Sequence, residues 1–423
     1  MPINMLAGAL NRSGLQYLSR DGVLLFLTRF TRLFSYGALS VVLVFYLTGL
    51  GFSESQTGML LTLTLLGDTL VSLFLTTQAD RIGRRRMLII GAVLMASAGL
   101  TFACTNKFLF LVVAGTIGVI SPSGNEVGPF LSIEQAALAQ VIPARERTTV
   151  FAWYTLDGAI ATAAGSLFAG SLTQRLQRVA VTPVGSERAI ILVYAALGLL
   201  LMLLFSRLSS AAEVHRDAGD STTAKSLLGI GSSRAVVLRL SGLFALDAFG
   251  GGFVVQSFAA YWFYLRFGVN PATLGGIFFG ANVLAGLSAL LASRLASRFG
   301  LVKTMVFTHL PSNILLIVVP LMPNLSLAIL LLLLRFSISQ MDVPTRQSYT
   351  MAIVREEERS SAAGIVGVAR TTGAAMAPVF AGLLFARPSL INLPFFIAGT
   401  LKITYDLLLY RAFVRLRPPE EVR

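Results

Sequence analysis

The chain reads twice. The stretch FYLTGLGFSESQTGML from Phe45 returns as FYLRFGVNPATLGGIF from Phe263, an offset of 218 residues. Further on, ERTTVFAWYTLDGAIATAAGSLFAG from Glu146 returns as ERSSAAGIVGVARTTGAAMAPVFAG from Glu358, an offset of 212. The offsets differ by a short net gap, so one duplication runs through nearly the whole chain. Both copies are mostly apolar. Such a sequence is expected to fold as two homologous halves, with its polar work done where the halves meet.

Apolar residues make up 55% of the 423 residues and charged residues only 13%, against about 25% charged in soluble domains. Apolar runs long enough to cross roughly 30 Å of hydrocarbon recur along the length. Spans are expected near 22–48, 57–79, 87–105, 108–141, 148–172 and 189–207, then 238–265, 272–294, 303–322, 325–354, 360–386 and 391–413. The expected fold is an all-α integral membrane protein: twelve transmembrane helices in two pseudo-symmetric six-helix bundles. The bundles take residues 1–207 and 237–423, and 208–236 form a polar cytoplasmic linker.

The net charge of +14 does not describe a nucleic-acid binder. With both termini cytoplasmic, the inner loops and tails hold 22 of the 34 Lys and Arg residues. The outer loops hold Lys107, Arg175, Arg178, Arg188, Arg266 and Arg387. This positive-inside bias sets the expected orientation, in the cell (inner) membrane. Residues 1–20 are polar and amphipathic, unlike a cleavable signal peptide. Cys104 is the single cysteine, so no intrachain disulfide can form.

The loop after the second span reads ADRIGRRRML from Ala79. It resembles the signature loop of the major facilitator superfamily, with Asp80, Arg81, Gly83, Arg84 and Arg85 on the motif and Thr76 where a leading glycine is usual. In physical terms, Gly83 permits a tight turn, while a carboxylate and adjacent guanidiniums can bridge helix ends at the cytoplasmic mouth as a gate. The second-half counterpart, ASRFGLVK, has Ser297 in place of the acid. The resemblance implies twelve helices, alternating access, and a cavity lined by the first, fourth, seventh and tenth spans. The Gly-Pro-rich pattern of that family's antiporters is incomplete here: the fifth span has Gly158, Gly165 and Gly170 without proline, while Pro378 stands in the eleventh.

Charges inside spans are costly and should face a cavity or a partner. The offsets set Arg29 opposite Asp247, Glu134 opposite Arg346 and Gln135 opposite Gln347, so acid and base swap between halves. With Arg32 and Asp342 one turn away from members of this set, a mixed-sign site of Arg29, Arg32, Glu134, Asp247, Asp342, Arg346 and Gln347 is expected. It serves either proton coupling and substrate binding or salt bridges between the halves, with Glu134 and Asp247 as the preferred proton carriers. Depth counted from the cytoplasmic ends puts Asp68 level with Arg370 and predicts a latch between the second and eleventh spans. Asp157 has no evident partner. The insert SPSGNEVGPF from Ser121 reads as a break in the fourth span near its outer mouth, and Glu126 within it is a further candidate for substrate binding or proton coupling. His309 reads as a structural histidine, and Lys402 with Asp406 as a local ion pair.

The expected function is secondary transport of a small organic solute, by proton-coupled export. The alternatives are proton-coupled uptake of an organic anion through Arg29, Arg32 and Arg346, a facilitator without ion coupling, and a transporter-like ligand sensor. No metal-ligand cluster, nucleotide-binding loop or nucleophile–base pair points to an enzyme. The expected partners are a small-molecule substrate, protons and the lipid bilayer. No cofactor, metal or nucleic acid is implied, and the chain is taken as a monomer.

Overall fold

A computed structural model describes residues 18–124, 130–143, 147–213, 233–355 and 358–416. The first half comprises α1 (Arg20–Gly49), α2 (Glu54–Ile82), α3 (Arg84–Cys104), α4 (Phe108–Ile117), α5 (Phe130–Val141), α6 (Arg147–Arg178) and α7 (Pro183–Ser206). The second comprises α8 (Arg234–Gly252), α9 (Gln256–Phe267), α10 (Pro271–Phe299), α11 (Leu301–Val318), α12 (Leu325–Ser339), α13 (Asp342–Ile353), α14 (Arg359–Phe385) and α15 (Leu393–Phe413). Among the described residues, ten helices or helix pairs are long and apolar enough to cross a membrane. The other two crossings are the interrupted pair α4–α5 and the 32-residue helix α6. The count agrees with the twelve spans expected, and the first described helix and the last share one face of the bundle, here the terminal face.

The repeat is visible in how helices begin. Ser53 caps α2 by accepting from the Gln56 amide, and the Gln56 side chain answers at the Ser53 amide. Asn270 caps α10 by accepting from the Thr273 amide, with Pro271 in the first turn. Each cap follows a glycine of positive φ, Gly51 at +94° and Gly268 at +64°, where a side chain would be strained. Counted from the caps, the repeat register here is 217, one less than the sequence alignment of Phe45 with Phe263 suggests. Gly58 and Gly275 then occupy the same fifth position.

Those two glycines build the seam between the halves. Gly58 of α2 meets Gly382 of α14, and Gly170 of α6 meets Gly275 of α10. A Cβ on Gly58 would overlap the Pro378 carbonyl oxygen, and one on Gly170 would overlap that of Pro271. Small residues are what let helices cross closely where no hydrophobic force pulls them together. Beside these crossings sits a polar knot: Gln256 donates to Ser40 at 2.8 Å and Ser166 at 3.1 Å, and Asn282 donates to Gln256 at 3.1 Å. Tyr261 donates to Glu54 at 2.8 Å, also across the seam.

Breaks in the spans have partners for the backbone they release. The helix of the fourth span stops at Ile117, before the SPSGNEVGPF insert, and resumes at Phe130; Glu126 falls outside the described residues. The Val119 carbonyl accepts from the Tyr194 hydroxyl, the Gly124 carbonyl from Thr162, and the Pro122 carbonyl from the Ser257 amide of the other half at 3.1 Å. Such satisfaction is what permits irregular backbone at membrane depth. The repeat is imperfect here: α1 runs unbroken for 30 residues, while its counterpart breaks between α8 and α9.

At the terminal face, Gly83 turns at φ +116° and offers α3 no side-chain cap. Glu213 supplies one from the start of the linker, its carboxylate accepting from the Arg84 amide at 2.7 Å and the Arg85 amide at 3.1 Å. A carboxylate suits the positive end of a helix. Residues 208–213 therefore dock on the first half, and α8, expected to start near 238, starts at Arg234. If the glycine crossings set helix spacing, Gly58→Val and Gly170→Val should each lower the melting temperature and increase labelling of a cysteine placed at Ser40. Labelling unchanged from the parent in both variants would show that the seam does not depend on close approach.

Candidate functional site

The buried charges gather in two clusters, one in each half. In the first, Arg32 is fully buried and grips Glu134 with both terminal nitrogens, at 2.7 and 2.8 Å. Glu134 also accepts from Thr28 at 2.9 Å and from the Tyr154 hydroxyl. Two-point guanidinium–carboxylate geometry of this kind is directional as well as strong. Arg29 lies over the Tyr154 ring, 4.3 Å from its centroid. Gly158 makes room for it, since a Cβ there would come within 2.8 Å of Arg29 Nε. Asp157 stands nearby with Oδ2 buried and unbonded.

In the second half Asp247 is the hub. Lys402 of α15 donates to Oδ1 at 2.6 Å, and Arg346 of α13 reaches Oδ2 at 3.4 Å. Arg346 also bridges Asp342, one turn away, at 2.9 Å. The long lysine stem runs along Gly250 and Gly251, whose missing side chains leave the path open. His309 of α11 sits between carboxylates: Nδ1 lies 2.8 Å from Asp406 and Nε2 3.7 Å from Asp247. Asn313, a turn further on, donates to the second Asp406 oxygen at 2.9 Å. All these ionisable groups are buried.

This arrangement changes several expectations. Arg29, Arg32 and Glu134 come together, as do Asp247, Asp342 and Arg346, but the described contacts keep the two groups apart. Lys402 does not pair with Asp406; it turns to Asp247, and Asp406 turns to His309, because each reaches a better placed partner on another helix. Among the described contacts no ion pair joins Asp68 to Arg370, although α2 packs on α14. Gln347 is exposed, and no described hydrogen bond ties it to the Asp247 cluster. Of the signature loop, the Gly83 turn and the Arg84 and Arg85 amides are described, whereas the Asp80 and Arg81 side chains are not. Sequence reasoning missed His309 and Lys402 as members of the cluster. Only their rarity within apolar spans marked them.

The inverted signs predicted from the repeat have a structural counterpart. The first span meets the fourth through base to acid, Arg32 to Glu134, and the seventh meets the tenth through acid to base, Asp247 to Arg346. Asp247, His309 and Asp342 also bring ligand atoms within 4.8 Å of one another, a spacing a metal could use. Lys402 and Arg346 already hold those carboxylates, so a metal would have to displace a cation. Removing one partner of a buried pair costs about 3–5 kcal/mol. Arg32→Gln should therefore destabilise by that order, and the double change with Glu134→Gln should recover a large part of it in thermal unfolding. Additive losses would mean that the two side chains act independently.

A model of the Major Facilitator Superfamily matches residues 25–341 and 249–423. The chain is 32% identical over 426 residues to an uncharacterized membrane protein of Saccharomyces cerevisiae, covering 94% of each. Over 130 residues, 29% of this chain and 28% of the other, it is 32% identical to a Na(+), Li(+), K(+)/H(+) antiporter of Planococcus maritimus. Among solved structures, a bacterial homologue of the human lysosomal transporter Spinster, inward-facing and unoccupied, superposes with a TM-score of 0.73. That match covers 95% of this chain and 98% of the other at 16% identity.

Proposed function

Because this chain belongs to the major facilitator superfamily, we propose that it is a secondary transporter that exports a small organic solute in exchange for protons by alternating access. The observation that carries the proton reading is the His309 imidazole, buried between the Asp406 and Asp247 carboxylates. An imidazole can gain or lose a proton at ordinary pH, and here either state has a partner. A proton on Nε2 faces Asp247; loss of that proton leaves Asp247 to Lys402 and Arg346. The Asp247–Arg346 contact joins the seventh and tenth spans, so redistribution of charge at Asp247 acts on helices that line the cavity in this family.

Glu134 serves as a positioning group in this reading. Arg32, Thr28 and Tyr154 already occupy its oxygens, so a proton would have to displace a donor. Export is supported by the partial likeness to a cation/proton antiporter. The protein is placed in the cell membrane with its termini cytoplasmic, on the basic bias of the loops.

The test is transport in proteoliposomes under an imposed pH gradient, with a solute chosen for raising the melting temperature of the purified protein. His309→Asn and Asp247→Asn should abolish uphill movement while solute–solute exchange survives, and Glu134→Gln should leave the proton dependence in place. Equal loss of driven transport and exchange in the first two, or loss of neither, would remove the assignment.

A further inference from the structure

The second-half cluster holds more positive than negative charge. Among the described residues, Arg346, Lys402, Arg335 and Arg370 stand around Asp247, Asp342 and Asp406, four cations to three carboxylates before His309 takes a proton. The first-half cluster sets Arg29 and Arg32 beside Glu134 and Asp157. The surplus has a location. Arg370 Nε is buried without a hydrogen-bond partner, and no described ion pair reaches this side chain. Arg346, a further guanidinium of the same cluster, is by contrast already held by Asp342 and Asp247. A guanidinium left in a desolvated bundle without a carboxylate of its own needs an anion near it.

Other donors around the same place also lack acceptors. Gly373, three residues beyond Arg370, crosses the Ala245 carbonyl of α8, and Ala374 and Ala377 cross Gly252. Arg370 therefore faces α8 one turn nearer the terminal face, alongside the turn that carries Ser241 and Phe244. The Ser241 hydroxyl is buried and unbonded. Arg346 lies 5.4 Å from the centroid of the Phe244 ring. The Tyr405 ring packs edge-on against Phe244, and Tyr405 is 1% exposed. Its hydroxyl is buried without a hydrogen-bond partner. Val366, one turn before Arg370, belongs to the same apolar cluster as Phe244 and Tyr405.

We propose that Arg370, with the Tyr405 and Ser241 hydroxyls and the neighbouring Arg346 guanidinium, forms a receptor for an oxyanion, the carboxylate or phosphate group of the transported solute. Arg370 then serves as a ligand-binding cation of the second half, not as a latch to Asp68. The guanidinium fork matches either oxyanion, and the hydroxyl protons complete the set. This inference rests on reading the chain as a solute transporter, but it is independent of proton coupling.

The test is thermal unfolding of the full chain in detergent at one fixed pH, with no gradient, so failure of the proton reading cannot affect it. Citrate, succinate and inorganic phosphate are compared with chloride at matched ionic strength. The oxyanions should raise the wild-type melting temperature, and the better of carboxylate and phosphate names the class. Arg370→Gln should abolish this protection and, without added anion, melt no lower than wild type, since it removes an uncompensated cation. Tyr405→Phe, which keeps the ring packing, should weaken the apparent affinity about tenfold. If Arg370→Gln does not fold, Arg370→Lys and Tyr405→Phe carry the comparison. No protection of the wild type by any of the three oxyanions would overturn the proposal. Protection that survives in the variants, or an anion-free Arg370→Gln protein that melts clearly lower, would do the same.

Discussion

Hydrocarbon gives a buried charge no water, so each ionised side chain must find its partner within the bundle. The two halves meet that demand differently. The first closes a compact pair, in which Glu134 is saturated by Arg32, Thr28 and Tyr154. The second spreads its charge over four spans through Asp247, Arg346, His309, Lys402 and Asp406. A saturated pair is rigid. A shared network can rearrange when one proton or one anionic group enters it, so the halves are suited to different tasks although they descend from one repeat.

The duplication made the broad architecture legible. It gave the twelve spans, the two halves and the exchange of acid for base at Arg29 against Asp247 and Glu134 against Arg346, although the residue that pairs with Glu134 is Arg32, one turn from Arg29. Pairing between distant spans was less legible for a physical reason. The rule that residues three or four apart meet on a helix is local, and it assigned Lys402 to Asp406 by default. The actual partners, Asp247 and His309, are 155 and 97 residues away, and only tertiary packing brings them close. The glycines at 250 and 251 hinted at an approaching side chain without saying which. The depth count that aligned Asp68 with Arg370 had the same weakness: depth along a helix is readable from sequence, but rotation about its axis is not.

Two kinds of contact hold the seam, and they differ when it parts. The crossings at Gly58–Gly382 and Gly170–Gly275 are mainly backbone against backbone, with the Val379 amide donating to Thr62 beside the first, and lipid or a neighbouring helix can replace such close packing at little cost. The knot of Gln256, Ser40, Ser166 and Asn282 has no such substitute, because an unbonded amide in hydrocarbon costs several kcal/mol. Parting at this seam would therefore call for water at Gln256, and at Glu54 and Tyr261 beside it, whereas the glycine crossings ask for none.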